Sequence, residues 1–241
     1  MNCFAQSDRG TVRKENQDRA ACAHIRRKGC TVAVVCDGMG GAAGGKLASD
    51  LAVSTFLADF RREMMAGSAV EPAMRHACDA ANRAVYEQSQ LSDDFTGMGT
   101  TLVAVWISRD LAVVINVGDS RAYHFTREDV RLITRDHSMV AYMVERGELT
   151  QEQAKLHPGK NVITRAVGTE PEVEGDVFTC RLRRDECILL CSDGLSNEMA
   201  DQEMLFEVVH GLSKSDCCQR LLHIAKNRGA PDNVTVTLAA V

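Results

Sequence analysis

The chain has 241 residues, 45% of them apolar and 25% charged, with a formal net charge of -5. That length and apolar content allow a sizeable core in one large domain or two small ones. The charge balance excludes a strongly basic nucleic-acid binder, and no run is long and apolar enough to span a bilayer.

In chain order, residues 3–7, 18–25 and 31–36 read as short strands. Between the last two, Arg26-Arg27-Lys28 beside Gly29 reads as a solvated turn. From about Ala43 to Met65 the period changes, and Val53, Phe56, Leu57, Phe60 and Met64 fall at helical spacing. A second helix is expected from Glu71 to Gln88. Strands return at Thr100–Ile107, Leu111–Val117, Arg121–Phe125 and Val130–Thr134. Residues 138–160 are more polar and predict short helices around Gly147. Strands follow at Asp176–Leu182 and Cys187–Cys191, helices at Asp201–His210 and Lys214–Lys226, and a last strand at Val234–Ala240. Helices come in pairs between blocks of strands. This predicts antiparallel sheets with helices packed outside, rather than a doubly wound parallel sheet. No linker or low-complexity segment interrupts the chain, so 1–241 is expected to be a single domain. Asp8, Arg9 and Arg13 near its start leave no signal-peptide core, and a cytoplasmic location is expected.

The ten cysteines include no C-x-x-C pair, and Cys36, Cys187 and Cys191 lie inside apolar runs. They are expected to be reduced structural thiols. His24 and His124 read as structural or surface histidines. His137 precedes a helix that Asp136 or Ser138 would cap.

The chemistry concentrates at strand ends. In "VAVVCDGMGG" (32–41), an apolar run leads straight into Asp37, and a buried acid is costly unless its charge is compensated. "ILLCSDG" (188–194) repeats the design at Asp193. Asp119 follows Val113-Val114-Ile115, while Asp18 and Asp232 each stand at the start of a strand. Any one Asp-Gly alone is an ordinary turn signal. Five acids at strand ends predict a shared cluster held together by hard divalent cations with oxygen ligands. Gly38 lets the backbone approach closely enough for its carbonyl to join them. Zinc is not expected, since there is no H-E-x-x-H and no Cys/His cluster. Arg13, five residues before Asp18, is well placed to grip a phosphate in a fork.

The motifs "SDRGTVRKENQD" (7–18), "CDGMGGAAGG" (36–45), "GMGTT" (97–101), "NVGDSRAY" (116–123), "TRDHS" (134–138), "NVITRAVG" (161–168), "LLCSDGL" (189–195) and "PDNVTV" (231–236) are each weak, and specific as an ordered set. With them the chain resembles the metal-dependent protein phosphatases of the 2C type (the PPM family) in their compact bacterial form. The resemblance implies an α+β fold, a four-layer α-β-β-α sandwich of two antiparallel sheets with helix pairs on the outer faces. It implies a core site for two Mn²⁺ or Mg²⁺ ions. Asp37 would bridge them, with the Gly38 carbonyl and Asp18 at the second ion and Asp193 and Asp232 at the first. Asp119 with Asp193 would form a weaker third site, and Arg13 would hold the substrate phosphate. Residues 139–161 would form a flap beside the site. Two positions depart from the common pattern. Met39 stands where animal members carry a histidine taken as general acid, and Gln17 stands where many members carry glutamate.

The implied activity is hydrolysis of phosphoserine and phosphothreonine in proteins by direct attack of a metal-bridging water. The implied partners are phosphoprotein substrates, including a bacterial Ser/Thr kinase and its targets. The alternative is a catalytically weak phosphate-binding regulatory module of the same fold. A metal-dependent nuclease would favour a basic surface, which the composition does not offer.

Overall fold

The structure is a computed structural model and describes residues 2–211 and 213–240; residue 212 and both ends of the 1–241 span expected as one domain lie outside it. Two antiparallel sheets form its middle. The first has the order β1 (Asn2–Asp8), β11 (Val234–Ala240), β10 (Cys187–Cys191), β7 (Arg121–Phe125), β8 (Val130–Leu132). The second has the order β2 (Asp18–Ile25), β3 (Cys30–Met39), β5 (Leu102–Ser108), β6 (Leu111–Val117), β9 (Asp176–Arg181), with the short β4 (Gly99–Thr100) paired to the end of β3.

The pleat sorts the apolar residues into layers. On β3, Val32, Val34 and Cys36 face helices α1 (Gly41–Ala66) and α2 (Val70–Ser89), while Ala33 and Val35 face the other sheet. Successive side chains point to opposite faces, so a strand buried on both sides reads as the continuous apolar run seen in the sequence. On β10, Ile188 and Leu190 share the inter-sheet core with Ala33 and Val35. Leu189 and Cys191 face outward to α6 (Asp201–His210) and α7 (Lys214–Asn227). The result is the expected four-layer arrangement, with the α1–α2 pair on one face and the α6–α7 pair on the other. A one-turn helix, α5 (Asp193–Ser196), joins the second pair. Helical spacing did not announce it, because four residues are too few to show a period.

Residues 139–161, expected as a flap, contain α3 (Met139–Glu145) and α4 (Gln151–Leu156). Ser138 caps α3 by accepting from Ala141 N at 3.2 Å, which settles the choice between Asp136 and Ser138. Arg26–Lys28 form an exposed 3-10 turn closed by Gly29 at φ 59°.

One expectation is corrected. Cys3 and Cys22 are joined in a disulfide, with a Cα–Cα separation of 6.2 Å. Strand β1 edges one sheet and β2 edges the other, so the bond ties the two sheets at one side of the sandwich. A separation of 19 residues leaves no spacing motif that sequence reading would detect. The other eight cysteines are free and buried, as expected.

Candidate metal centre and active site

The alternation that sorts the core also assembles the site. Continuing from Ala33 and Val35, Asp37 falls on the inter-sheet face of β3, just past the last apolar layer. Asp18 opens β2 directly across the ladder as its Cα partner. Asp119 follows β6, Asp193 follows β10 and Asp232 precedes β11. These are the same ends of the two sheets. Asp37, Asp119, Asp193 and Asp232 line one cleft of about 540 Å³ together with Arg13, Gln17, Gly38, Met39 and Thr101. Asp18 sits behind it, buried.

Each acid has its own fastening. Asp37 is held through its backbone: its N–H donates to Thr101 Oγ1 at 2.9 Å, and its carbonyl accepts from Thr100 Oγ1 at 2.8 Å and Thr101 N at 2.9 Å. Thr101 Oγ1 pairs in turn with Ser120 Oγ at 2.7 Å. Asp18 is held from the opposite sheet, where Ser192 Oγ donates to its Oδ2 at 2.7 Å and accepts from Thr235 N at 3.0 Å. Asn197 donates to Asp193 Oδ2 at 3.1 Å. Asn233 fixes the loop that carries Arg13. Its Nδ2 donates to Arg9 O at 2.9 Å and Glu15 O at 3.0 Å, and its Oδ1 accepts from Gln17 N at 2.8 Å. Arg13 Nη2 then reaches Asp232 Oδ2 at 2.7 Å.

Gly38 answers to space as well as chemistry. A Cβ there would lie 2.0 Å from Gly45 O and 2.7 Å from Gln17 O. Glycine is therefore required for the backbone of α1 to cross the end of β3. Gln17 Nε2 donates to Gly41 O at 2.7 Å, tying its amide to the start of the same helix.

The sequence brought forward all five acids and Arg13, and the structure gathers them at one end. It passed over Thr100, Thr101, Ser120, Ser192 and Asn197. Ser192 was within reach: counting by two from Ile188 and Leu190 places it on the inter-sheet face.

The electrostatics are those of crowded carboxylates. Burial, then the charges of Asp18, Asp193, Asp119 and Asp232, push the Asp37 carboxyl well above its ordinary range. Burial raises Asp18 and Asp119 to about 7 each and Asp193 to about 6, with neighbouring carboxylates adding to the rise in all three. Asp232 holds Arg13 more firmly protonated than usual. Two buried oxygens, Asp18 Oδ1 and Asp193 Oδ1, have no hydrogen-bond partner. Unpartnered buried carboxylate oxygens amid mutual repulsion suit a hard cation. Among the described residues, no three Asp, Glu, His or Cys side chains are already placed to hold one metal ion. No cysteine or histidine lines the cleft, so its side-chain donors are carboxylate and amide oxygens and the Thr101 hydroxyl.

Residues 9–224 match the family model described as Protein phosphatase 2C. The chain is 34% identical over 241 residues to "Serine/threonine phosphatase stp" of Listeria welshimeri, covering 99% of this chain and 95% of that protein. The crystal structure of the Mycobacterium tuberculosis serine/threonine phosphatase PstP/Ppp superposes with a TM-score of 0.89 at 34% identity, covering 100% of this chain and 98% of that one. A structure of the catalytic domain of PstP in complex with two manganese ions gives a TM-score of 0.86 at 33% identity, over 98% of this chain and 96% of that one. The chain belongs to the protein phosphatase 2C family of metal-dependent serine/threonine phosphatases, and it has the family's two-sheet fold. No described helix is long and apolar enough to cross a membrane.

Proposed function

We propose that the cleft hydrolyses phosphoserine and phosphothreonine in protein substrates, using two Mn²⁺ or Mg²⁺ ions held by Asp37, the Gly38 carbonyl, Asp18, Asp193 and Asp232. Asp119 with Asp193 forms a weaker third site. The observation that carries this reading is the gathering of five acids at one end of both sheets, with Arg13 at the rim and two buried carboxylate oxygens unpartnered. The PstP domain with two manganese ions supports the ion number. Bound cations supply a water made acidic enough to attack phosphorus near neutral pH, and charge to offset that of the phosphate.

The chain's own residues do the rest. Asp37 would offer its carboxylate to both ions, and Thr100 and Thr101 hold its backbone in place. Arg13 lies on an exposed loop with its guanidinium at the cleft, where it can turn from Asp232 to the equatorial oxygens of a phosphate. No lining residue is a serine or cysteine beside a histidine base, so the reading contains no covalent enzyme intermediate. The amide of Gln17 contributes no negative charge and leaves the second ion more weakly held than a glutamate would.

The whole span acts as one catalytic domain, with 139–161 as the flap. Asn161 at its end lines the cleft, and Tyr142 and Leu156 are exposed along it. That placement suits a rim that selects protein substrates. Phosphoproteins in the cytoplasm, among them a bacterial Ser/Thr kinase and its targets, are the partners this reading implies.

The test is manganese-dependent phosphate release from an aryl phosphate and from phosphopeptides, with single-stranded DNA as control, in wild type and Asp37→Asn. Turnover of both phosphate esters, lost in Asp37→Asn at saturating manganese, is expected. Phosphate binding without turnover would replace the reading with that of a regulatory module, and cleavage of the DNA with that of a nuclease.

A further inference from the structure

The motif "TRDHS" supplies a histidine to which the phosphatase reading gives no role. His137 is buried, with its side chain 7% exposed, and it stands between the Asp119 turn and the flap. Its main chain makes two ties. His137 N donates to Gly118 O at 2.9 Å, and Thr164 N donates to His137 O at 2.8 Å. Its ring makes a third, because Gly118 N donates to Nδ1 at 3.1 Å. Gly118 is at φ 104°, and a Cβ on it would meet Thr101 Cγ2 at 2.7 Å. Asn116 Nδ2 also donates to Gly118 O at 3.2 Å, so the turn that presents Asp119 is held by Asn116 from its own strand and by His137 from the flap side. The next residue, Ser138, caps α3 and pairs with Ile163 on the returning side of the flap. His137 and its neighbour Ser138 therefore join the Asp119 turn to both roots of the flap.

Counting hydrogens fixes the state of the ring. Nδ1 faces an N–H and must accept, so it carries no proton. Nε2 lies 3.2 Å from Asp176 Oδ2 and 3.2 Å from Arg165 Nη1. The two hydrogens of Arg165 Nη1 are taken by Glu174 O at 2.9 Å and Asp176 Oδ1 at 2.9 Å. Nε2 therefore holds the proton and donates it to Asp176 Oδ2. The ring is neutral, and a second proton would set two N–H groups against each other at Gly118. Burial pushes the imidazole pKa down, in the same sense.

We propose that His137 is a positioning residue for Asp119: its neutral ring and its main chain pin the Gly118–Asp119 turn to the flap roots, so that the flap and this carboxylate keep one mutual geometry. The inference rests on the phosphatase reading and deepens it by naming what couples the substrate rim to the third ion site. Outer partners of this kind fix the direction in which a ligand presents its oxygens.

Two measurements test it. Nitrogen NMR of the metal-free protein, with histidine ¹⁵N-labelled, is expected to show His137 with Nδ1 bare and Nε2 protonated at neutral pH. A protonated Nδ1 would overturn the pin. The second measurement compares His137→Leu and His137→Asn, each alone and in an Asp119→Asn background, by calorimetric Mn²⁺ binding and by Mn²⁺ titration of phosphopeptide hydrolysis. Asparagine places an oxygen near the position of Nδ1 and keeps the bond from Gly118. His137→Leu should raise the Mn²⁺ needed at the weaker site about 10–100-fold, and His137→Asn should restore most of it. In the Asp119→Asn background the leucine should add nothing. Additive losses, or equal damage from asparagine and leucine, would overturn the proposal. If wild type releases no phosphate at any Mn²⁺ concentration, the phosphatase reading falls, while ring state and calorimetry still decide the pin. If the leucine variant does not fold, the asparagine variant and the wild-type ring state decide it.

Discussion

Asp18 and Asp37 are direct Cα partners across the β2–β3 ladder, two like charges placed opposite each other at the end of a buried layer. Such a pair is destabilising on a sheet unless something neutralises it. Protons are one remedy. Burial and crowding raise Asp18 and Asp119 to about 7 and Asp193 to about 6. An acid whose folded pKa lies above its unfolded value binds more protons in the native state, so its contribution to stability is lost as pH rises through the folded pKa. In chelator, the thermal midpoint should therefore fall as pH rises from about 5 to about 8. Saturating Mn²⁺ should remove most of that slope by replacing the protons. Calorimetric scans with and without metal give the comparison, and a midpoint that rises with pH in chelator would contradict it.

Thr101 is the hydroxyl that fixes Asp37, through Asp37 N and Ser120 Oγ. Thr101→Val keeps the shape and leaves the Asp37 N–H without a partner. We expect a loss of about 1–3 kcal/mol in stability and a weaker Mn²⁺ affinity by about 10–100-fold. Urea unfolding and calorimetric metal binding measure the two separately. Loss of stability with unchanged affinity would make Thr101 a structural residue only.

Arg13 and Asp232 form an ion pair at 2.7 Å in which the arginine side chain is 55% exposed. The pair lies at the rim and is worth little to stability. Arg13→Ala should leave the thermal midpoint nearly unchanged and should not weaken metal binding, since Asp232 loses a competitor. It should lower kcat/KM on phosphopeptides by about 2–4 kcal/mol of transition-state stabilisation. A metal titration displaced as far as the kinetics would assign Arg13 to the metal site instead.

The Cys3–Cys22 bond closes a loop that carries Arg13 and Asp18. By loop-closure entropy a bond over such a separation contributes about 3 kcal/mol. Reduction, or Cys3→Ser, should lower the thermal midpoint by about 6–12 °C at this chain length. Scans with and without reductant measure it. An identical midpoint in both would mean that the ends of β1 and β2 are held by the sheets alone.

What the sequence reveals follows from where the information is local. The buried strands were legible because a strand covered on both faces leaves a continuous apolar run, as in Val32 to Cys36. The five acids were legible because each sits where an apolar strand begins or ends. Val53, Phe56, Phe60 and Met64 marked α1 by period, and all four are buried against the second sheet. The fastening residues were not legible. Ser192 acts on Asp18 from 174 positions away, and Asn233 reaches Arg9 and Glu15 from more than 200. Their roles exist only once the sheets are stacked. The Cys3–Cys22 bond was missed for the same reason, since it joins strands that belong to different sheets.

Met39 gives the most specific chemical expectation. It is the last residue of β3, pairs with Gly99, and lines the cleft. In animal relatives a histidine taken as general acid commonly holds the matching place. A thioether holds no proton to give. A serine alkoxide leaves poorly unless it is protonated, whereas a nitrophenolate leaves readily without a proton. General acid assistance contributes roughly 10²–10⁴-fold where it is needed. The wild type should therefore show a wide gap between its rates on an aryl phosphate and on phosphoserine peptides. The room at this position is limited, because a Cβ added at Gly99 would lie 2.9 Å from Met39 Cε. An imidazole is shorter than the methionine chain and can replace it there without pressing on β4. Met39→His is expected to raise the phosphoserine rate selectively and to add a descending limb to its pH profile as the imidazole loses its proton. The aryl phosphate rate should change little. The measurement is kcat for both substrates across pH in wild type and variant. Equal change in both, or none in either, would show that leaving-group protonation is not what this position controls.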